Sequence, residues 1–301
     1  MKQVLQNWKT GEVTTDDVPP PALRQRSGVL VKNYYSLISA GTERTSVEFA
    51  QSNLVEKARS KPDEVKKLID DIRRQGFWNV YERVQRKMKV PVPRGYSCAG
   101  VVMAVSEDVD DIRPGDRVAC GGQGAFHADI VSVRRNLCVK VPDSVSLGDA
   151  AYTTIGAIAM QGVRQATPTL GESVVVIGLG LVGQCTVQIL KANGCNVIGV
   201  DLSAFHVDAA KKSGADYAFL RSDPSLISRI AALTDGAGAD TVIITAATES
   251  NDPIELAASL CRNRGRIVLV GVSKIEIPRD IFYEKELEFK LSHKAERTVY
   301  K

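Results

Sequence analysis

Three glycines and one aspartate carry the clearest chemistry in these 301 residues. Gly178-Leu179-Gly180-Leu181-Val182-Gly183 follows the apolar run Ser173-Val174-Val175-Val176-Ile177 and leads into the amphipathic stretch from Gln184 to Leu190. Asp201 stands eighteen residues beyond Gly183, at the end of the next apolar run. A G-x-G-x-x-G spacing alone is weak. Between a strand and a helix, with an acid at this distance, it is the fingerprint of a dinucleotide site. Gly178 permits a tight turn, Gly180 lets the backbone approach a pyrophosphate, and Gly183 lets the helix pack close to the sheet. The helix start supplies amides around Leu179, Leu181 and Val182 and the positive end of a dipole. Asp201 is placed to accept hydrogen bonds from the adenosine ribose, and its charge repels a 2′-phosphate. No Lys or Arg follows before Lys211, so the reading favours NAD over NADP. Ala246, Ala247, Gly271 and Val272 end later strands, where small residues leave room for the nicotinamide ribose and ring. The alternative for Ala247 and Gly271 is simple packing in turns.

The elements that position these residues follow from periodicity. Expected strands lie at 173–178, 196–201, 216–219, 241–246 and 266–271, with helices near 181–193, 204–213, 224–234 and 253–262. Regular alternation with near-continuous apolar strands predicts an α/β, doubly wound parallel sheet, a Rossmann domain. Upstream, 1–43 and 91–145 read as short β segments broken at Pro19-Pro20-Pro21 and Arg113-Pro114-Gly115-Asp116. Between them Val65, Leu68, Ile69 and Ile72 form one helical stripe that Gly76 would stop, and a second helix with Val80, Tyr81 and Val84 follows. This is a helical insert in a β-rich domain.

Bulk properties narrow the function. Charged residues at 25% and hydrophobic residues at 44% describe an ordinary globular chain with room for two domains. A net charge of +4 argues against a nucleic-acid binder, and no apolar run is long enough for a membrane span. The six cysteines are scattered without a C-x-x-C pair, which reads as reduced thiols. With no signal-peptide pattern, the expectation is a cytoplasmic protein.

The order of parts resembles the medium-chain dehydrogenase/reductase superfamily. The resemblance rests on the fingerprint above, on Arg113-Pro114-Gly115-Asp116-Arg117-Val118 and on Gly236-Ala237-Gly238-Ala239-Asp240. Leu37 to Arg44, Gly95 to Gly100 and Phe282 to Leu287 resemble, more narrowly, the zinc-less dehydrogenase module of bacterial bi-domain oxidoreductases. The resemblance implies a GroES-like domain at 1–150, with the insert at 45–90, and a Rossmann NAD-binding domain at 151–280. It also implies an active site in the cleft between them. Residues 281–301 are expected to hold a strand returning to the first domain and then a shortened tail, which puts activity in doubt. An edge left uncovered that way suggests a partner or a homodimer.

The zinc ligands of the alcohol dehydrogenase branch would fall, by the same resemblance, on Ala40, Tyr96 and Ile155. None is a thiolate, imidazole or carboxylate, so no zinc is expected. Cys98, Cys120, Cys138 and His127 read as core thiols and a surface imidazole. Charge on the substrate oxygen then needs another partner. Thr42, Glu43, Tyr96 and Ser97 fall where the superfamily places its catalytic groups. Tyr96 could donate a proton, Thr42 begin a relay and Glu43 act as base. Against this, Tyr96 could fill the vacated metal cavity and Glu43 pair with Arg44. Thr154 and His127 are weaker candidates.

Residues 57–89 hold eleven Lys and Arg against five acids, either a solvated helical face or a lure for an anionic or carbohydrate substrate. Three functions remain open at this stage. The leading one is zinc-independent, NAD-linked alcohol/carbonyl oxidoreduction on a polar, sugar-related small molecule. The others are a quinone or enoyl C=C reductase and a non-catalytic cofactor-binding regulatory subunit.

Overall fold

The computed structural model describes residues 1–8, 10–24, 26–41, 43, 67, 70–74, 76, 78–82 and 90–293. Most of the expected insert, including Val65, Leu68, Ile69, Phe77 and Val84, lies outside the described residues, as does Thr42. Residues 70–74 and 78–82 are helical. At Gly76 the amide donates to the Ile72 carbonyl at 2.9 Å and φ is +82°, a conformation that glycine adopts without a Cβ penalty. The chain divides into two units, one ending at Thr153 and one beginning at Thr154.

The first unit is built on antiparallel pairing. Strands β1 (Lys2–Gln6), β2 (Val13–Asp17) and β4 (Val92–Pro93) form one small sheet in the order β2-β1-β4. The larger sheet has the order β7-β3-β5-β6-β8. Its strands are β3 (Gly28–Ser36), β5 (Ser97–Val105), β6 (Arg117–Gly121), β7 (Ile130–Arg134) and β8 (Cys138–Lys140). Val29, Val31, Cys98, Val102, Val118, Cys120, Val131 and Val133 meet in one core, as period-2 alternation requires. Cys98, Cys120 and Cys138 stand opposite one another across β5, β6 and β8 as buried free thiols. A short helix α1 (Leu147–Ala150) closes the unit; Ser146 caps it, its Oγ accepting from the Asp149 amide at 3.0 Å.

The second unit opens with helix α2 (Thr153–Ala166) and then alternates strand and helix. The strands are β9 (Ser173–Ile177), β10 (Asn196–Asp201), β11 (Tyr217–Leu220), β12 (Ala239–Ile244), β13 (Cys261–Leu269) and β14 (Glu288–Leu291). Between them run α3 (Leu181–Ala192), α4 (Ala204–Lys212), α5 (Leu226–Leu233), α6 (Asp252–Leu260) and α7 (Arg279–Glu284). All six strands are parallel, in the order β11-β10-β9-β12-β13-β14. Both faces of the sheet are buried. Val174, Val176, Ile243 and Val268 pack with α2, α3 and α4; Val175, Ile177, Val242, Ile244, Ile267 and Leu269 pack with α5 and α6. Full burial of each such side chain contributes on the order of 1.5–3 kcal/mol, which makes this double-sided apolar set the unit's main source of stability.

One expectation is corrected here. The segment read as a strand returning to the first domain is instead β14, the sixth strand of the parallel sheet, paired with β13 from Arg266↔Glu288 to Leu269↔Leu291. The cause is the apolar crossover. Ile281, Phe282, Leu287 and Phe289 pack on the core beside β13, with the rings of Phe282 and Phe289 6.3 Å apart. Lys285 Nζ donates to the carbonyls of Ala258, Ser259 and Cys261 at 2.7–3.0 Å, closing the C-terminus of α6.

Candidate active site

In an open parallel sheet, ligands lie beyond the carboxyl ends of the strands, where the strand order reverses. Here that point falls between β9 and β12, and the residues following both strands meet there. Gly178 has φ +92°, and a Cβ on it would stand 2.5 Å from the Ala246 amide. A Cβ on Gly183 would stand 2.0 Å from the Gly178 carbonyl oxygen. So Gly183 is small because the turn folds back over its own helix. Gly180 is different: it caps α3 with φ −69°, and a Cβ there would meet only open space. The amides of Leu181, Val182 and Gly183 form the first turn of α3, where no carbonyl of the same helix can accept from them. A diphosphate suits this cradle, with open space above Gly180 and donors below.

Asp201 is more than an acid at a strand end. Its Oδ2 accepts from the Leu179 amide at 2.6 Å and its Oδ1 from the Ser203 amide at 2.8 Å, with His206 Nδ1 at 3.2 Å from Oδ1. The carboxylate therefore clips the glycine turn to the loop after β10. A carboxylate has about four acceptor positions, so roughly one remains for a ribose hydroxyl.

Two further side chains, outside the glycine fingerprint, brace the turn. Thr245 Oγ1 donates to the Gly178 carbonyl, and Gln184 Nε2 donates to the Leu179 carbonyl at 2.8 Å and the His206 carbonyl at 3.1 Å. Gly271 lies where a Cβ would be 2.0 Å from the Ala246 carbonyl oxygen. Ala247 and Val272 form an isolated parallel bridge, and Val272 is exposed. These four residues are drawn together, and close backbone approach is what requires the glycine.

In the first unit Glu43 is half-buried, and its partner is His127. The Nε2 of His127 lies 2.9 Å from Glu43 Oε1, and Nδ1 lies 2.9 Å from Ser36 Oγ. The expected surface imidazole is therefore a buried one, because Gly95, at φ +97°, brings its backbone against the ring. Tyr96 is half-buried, with its carbonyl accepting from the Gly122 amide, and Ser97 Oγ donates to the Ala151 carbonyl at 2.6 Å. Ala40 is exposed and Ile155 buried. A methyl, a phenol and a branched alkyl group do not fit a zinc ion. Among the described residues, no group of three or more His, Cys, Asp or Glu is arranged to hold a metal. No helix among them is long and apolar enough to cross a membrane.

Comparison with known proteins bears on these features. Residues 69–143 match the model of the alcohol dehydrogenase GroES-like domain, and residues 182–300 match that of the zinc-binding dehydrogenase domain. The chain belongs to the medium-chain dehydrogenase/reductase superfamily. Among curated members, D-guloside 3-dehydrogenase of Escherichia coli strain K12 is 35% identical over 153 residues, 50% of this chain and 43% of that protein. Sorbitol dehydrogenase of Bacillus subtilis strain 168 is 27% identical over 222 residues, 64% of this chain and 62% of that protein. The match thus spans less than two thirds of either relative. Among solved structures, galactitol-1-phosphate dehydrogenase from Escherichia coli superposes with a TM-score of 0.76 at 19% identity, covering 100% of this chain and 85% of that one. The curled antiparallel sheet is the GroES-like part, and the six-stranded parallel sheet is the Rossmann part.

Proposed function

We propose that this protein is a zinc-independent, NAD-linked oxidoreductase that interconverts an alcohol and a carbonyl on a polar, sugar-related small molecule. The observation that carries the reading is the 2.6 Å bond from the Leu179 amide to Asp201, which fixes the glycine turn as an open cradle at the switch point of the sheet. Relatives named for a guloside and for sorbitol support a polyhydroxylated substrate. The donor chemistry at Ala40, Tyr96 and Ile155 supports catalysis without zinc.

When bound, the nicotinamide ring takes up or delivers the hydride. The amides of Leu181, Val182 and Gly183 hold the diphosphate, and Asp201 takes the adenosine ribose while its charge disfavours a 2′-phosphate. Tyr96 meets the substrate oxygen as hydrogen-bond donor and proton carrier, the role a metal would otherwise fill. Glu43, held by His127, accepts the proton, with Thr42 as a relay hydroxyl.

Fluorescence titration with NADH and NADPH, metal analysis, and turnover on a panel of alditols, alditol phosphates and glycosides test the reading. The expected outcome is tighter NADH binding, metal-free activity, and a kcat lowered about 100-fold or more in Tyr96→Phe. Unimpaired turnover by Tyr96→Phe removes that residue from the chemistry. Coenzyme binding with no turnover on any substrate supports a regulatory, cofactor-binding role.

A further inference from the structure

A second titratable group stands at the adenosine end of the cradle. His206 lies in the first turn of α4, with Nδ1 3.2 Å from Asp201 Oδ1; its side chain is 41% exposed and that of Asp201 12%. Its backbone is anchored through Gln184 to the helix that begins at the glycine turn.

Two charged groups near it have other partners. Arg221, whose amide donates to the Asp201 carbonyl at 2.8 Å, turns its guanidinium onto Asp252, with bonds of 3.1 and 2.5 Å. On α4 itself, Lys211 and Asp208 pair with each other at 3.7 Å. Asp201 itself faces the imidazole of His206.

We propose that His206 sets the coenzyme preference of this site through its charge. With a neutral imidazole, Asp201 presents a full negative charge and excludes a dinucleotide bearing a 2′-phosphate. With an imidazolium, the pair carries no net charge, and a 2′-phosphorylated dinucleotide is accepted. Removing one unit of repulsion a few ångströms from a phosphate is worth roughly tenfold in affinity at a partly solvated site. This inference rests on the dinucleotide reading above and adds a specificity-determining residue to it.

The phosphate also takes up a proton near pH 6, which relieves repulsion without help from the protein. The test therefore needs a variant that keeps a donor toward Asp201 but does not titrate. The whole chain, as wild type and as His206→Gln, is titrated with NADH and with NADPH from about pH 8.5 down to about pH 5.5. The readout is the NADPH:NADH affinity ratio. In the wild type it should rise roughly tenfold as pH falls, and in His206→Gln by no more than about threefold, the share due to the phosphate alone. Asp201→Asn should hold a high ratio with a similarly shallow slope. If NADH binds but the wild-type ratio follows that of His206→Gln at every pH, the proposal is overturned and the dinucleotide reading stands. If neither coenzyme binds at any pH, the dinucleotide reading falls, and this one with it.

Discussion

His127 Nε2 and Glu43 Oε1 lie 2.9 Å apart across 84 positions of sequence, with Ser36 Oγ on the other ring nitrogen. Both nitrogens of a buried imidazole are thus engaged, and each bond comes from a different segment of the first unit. Replacing the ring by an apolar side chain strands both partners. His127→Leu is expected to lose about 1–3 kcal/mol of stability, measured by urea unfolding. An unchanged midpoint would mean that these contacts contribute nothing to the fold.

The glycines of the turn make separable predictions. Gly183→Ala forces a Cβ onto the Gly178 carbonyl, so thermal stability and NADH binding should fall together. Gly180→Ala places its methyl in open space at an ordinary φ, and stability should stay within about 0.5 kcal/mol of wild type. NADH affinity should nevertheless drop about tenfold or more, because that space is where the diphosphate approaches. Undiminished affinity in Gly180→Ala would show that the ligand lies elsewhere.

How much of this was legible beforehand depended on distance along the chain. The strands, the glycine turn and Asp201 are local patterns, and their periodicity dictates structure within a few residues. The placement of β14 was not legible. Alternation in Lys285 to Leu291 says that one face is buried but not against which sheet, and the choice is made by Phe282 and Phe289 packing beside β13. The His127–Glu43 pair was hidden for the same reason, since no spacing rule joins residues that far apart. Thr245 and Gln184 give no motif at all, because their role is to hold carbonyls of a turn that already looks complete.

Asp216 should reveal itself on the acid limb of stability. Burial pushes its carboxyl up, but Lys191 Nζ at 2.7 and 2.8 Å and the Val197 amide at 2.7 Å outweigh that, leaving it below the usual aspartate range. A pKa depressed by folding adds stability that is present above the unfolded-state value and lost as pH falls through the folded-state value. Asp216→Asn should therefore be less stable than wild type by roughly 1 kcal/mol near neutrality. The gap should narrow as pH falls below about 4. A pH-independent gap, followed by chemical denaturation from pH 7 downward, would mean that the charge is not what matters.

Lys285 offers a test of the C-terminal crossover. Burial pulls its ammonium below the ordinary lysine range, yet it donates to three carbonyls at the end of α6. Lys285→Met keeps the aliphatic stem and removes the donors, and should cost about 1–3 kcal/mol of the second unit's stability. Hydrogen exchange should then rise first in Ala258 to Cys261. Protection there equal to wild type would leave the lysine without a role.

That lysine also sets an order of events during synthesis. A nascent chain that has emerged as far as Gly271 contains five of the six parallel strands, yet α6 still lacks its closing cation and the outer edge of β13 is uncovered. Until the segment from Arg279 to Leu291 follows, that outer strand keeps an unpaired edge and is the part a chaperone would meet.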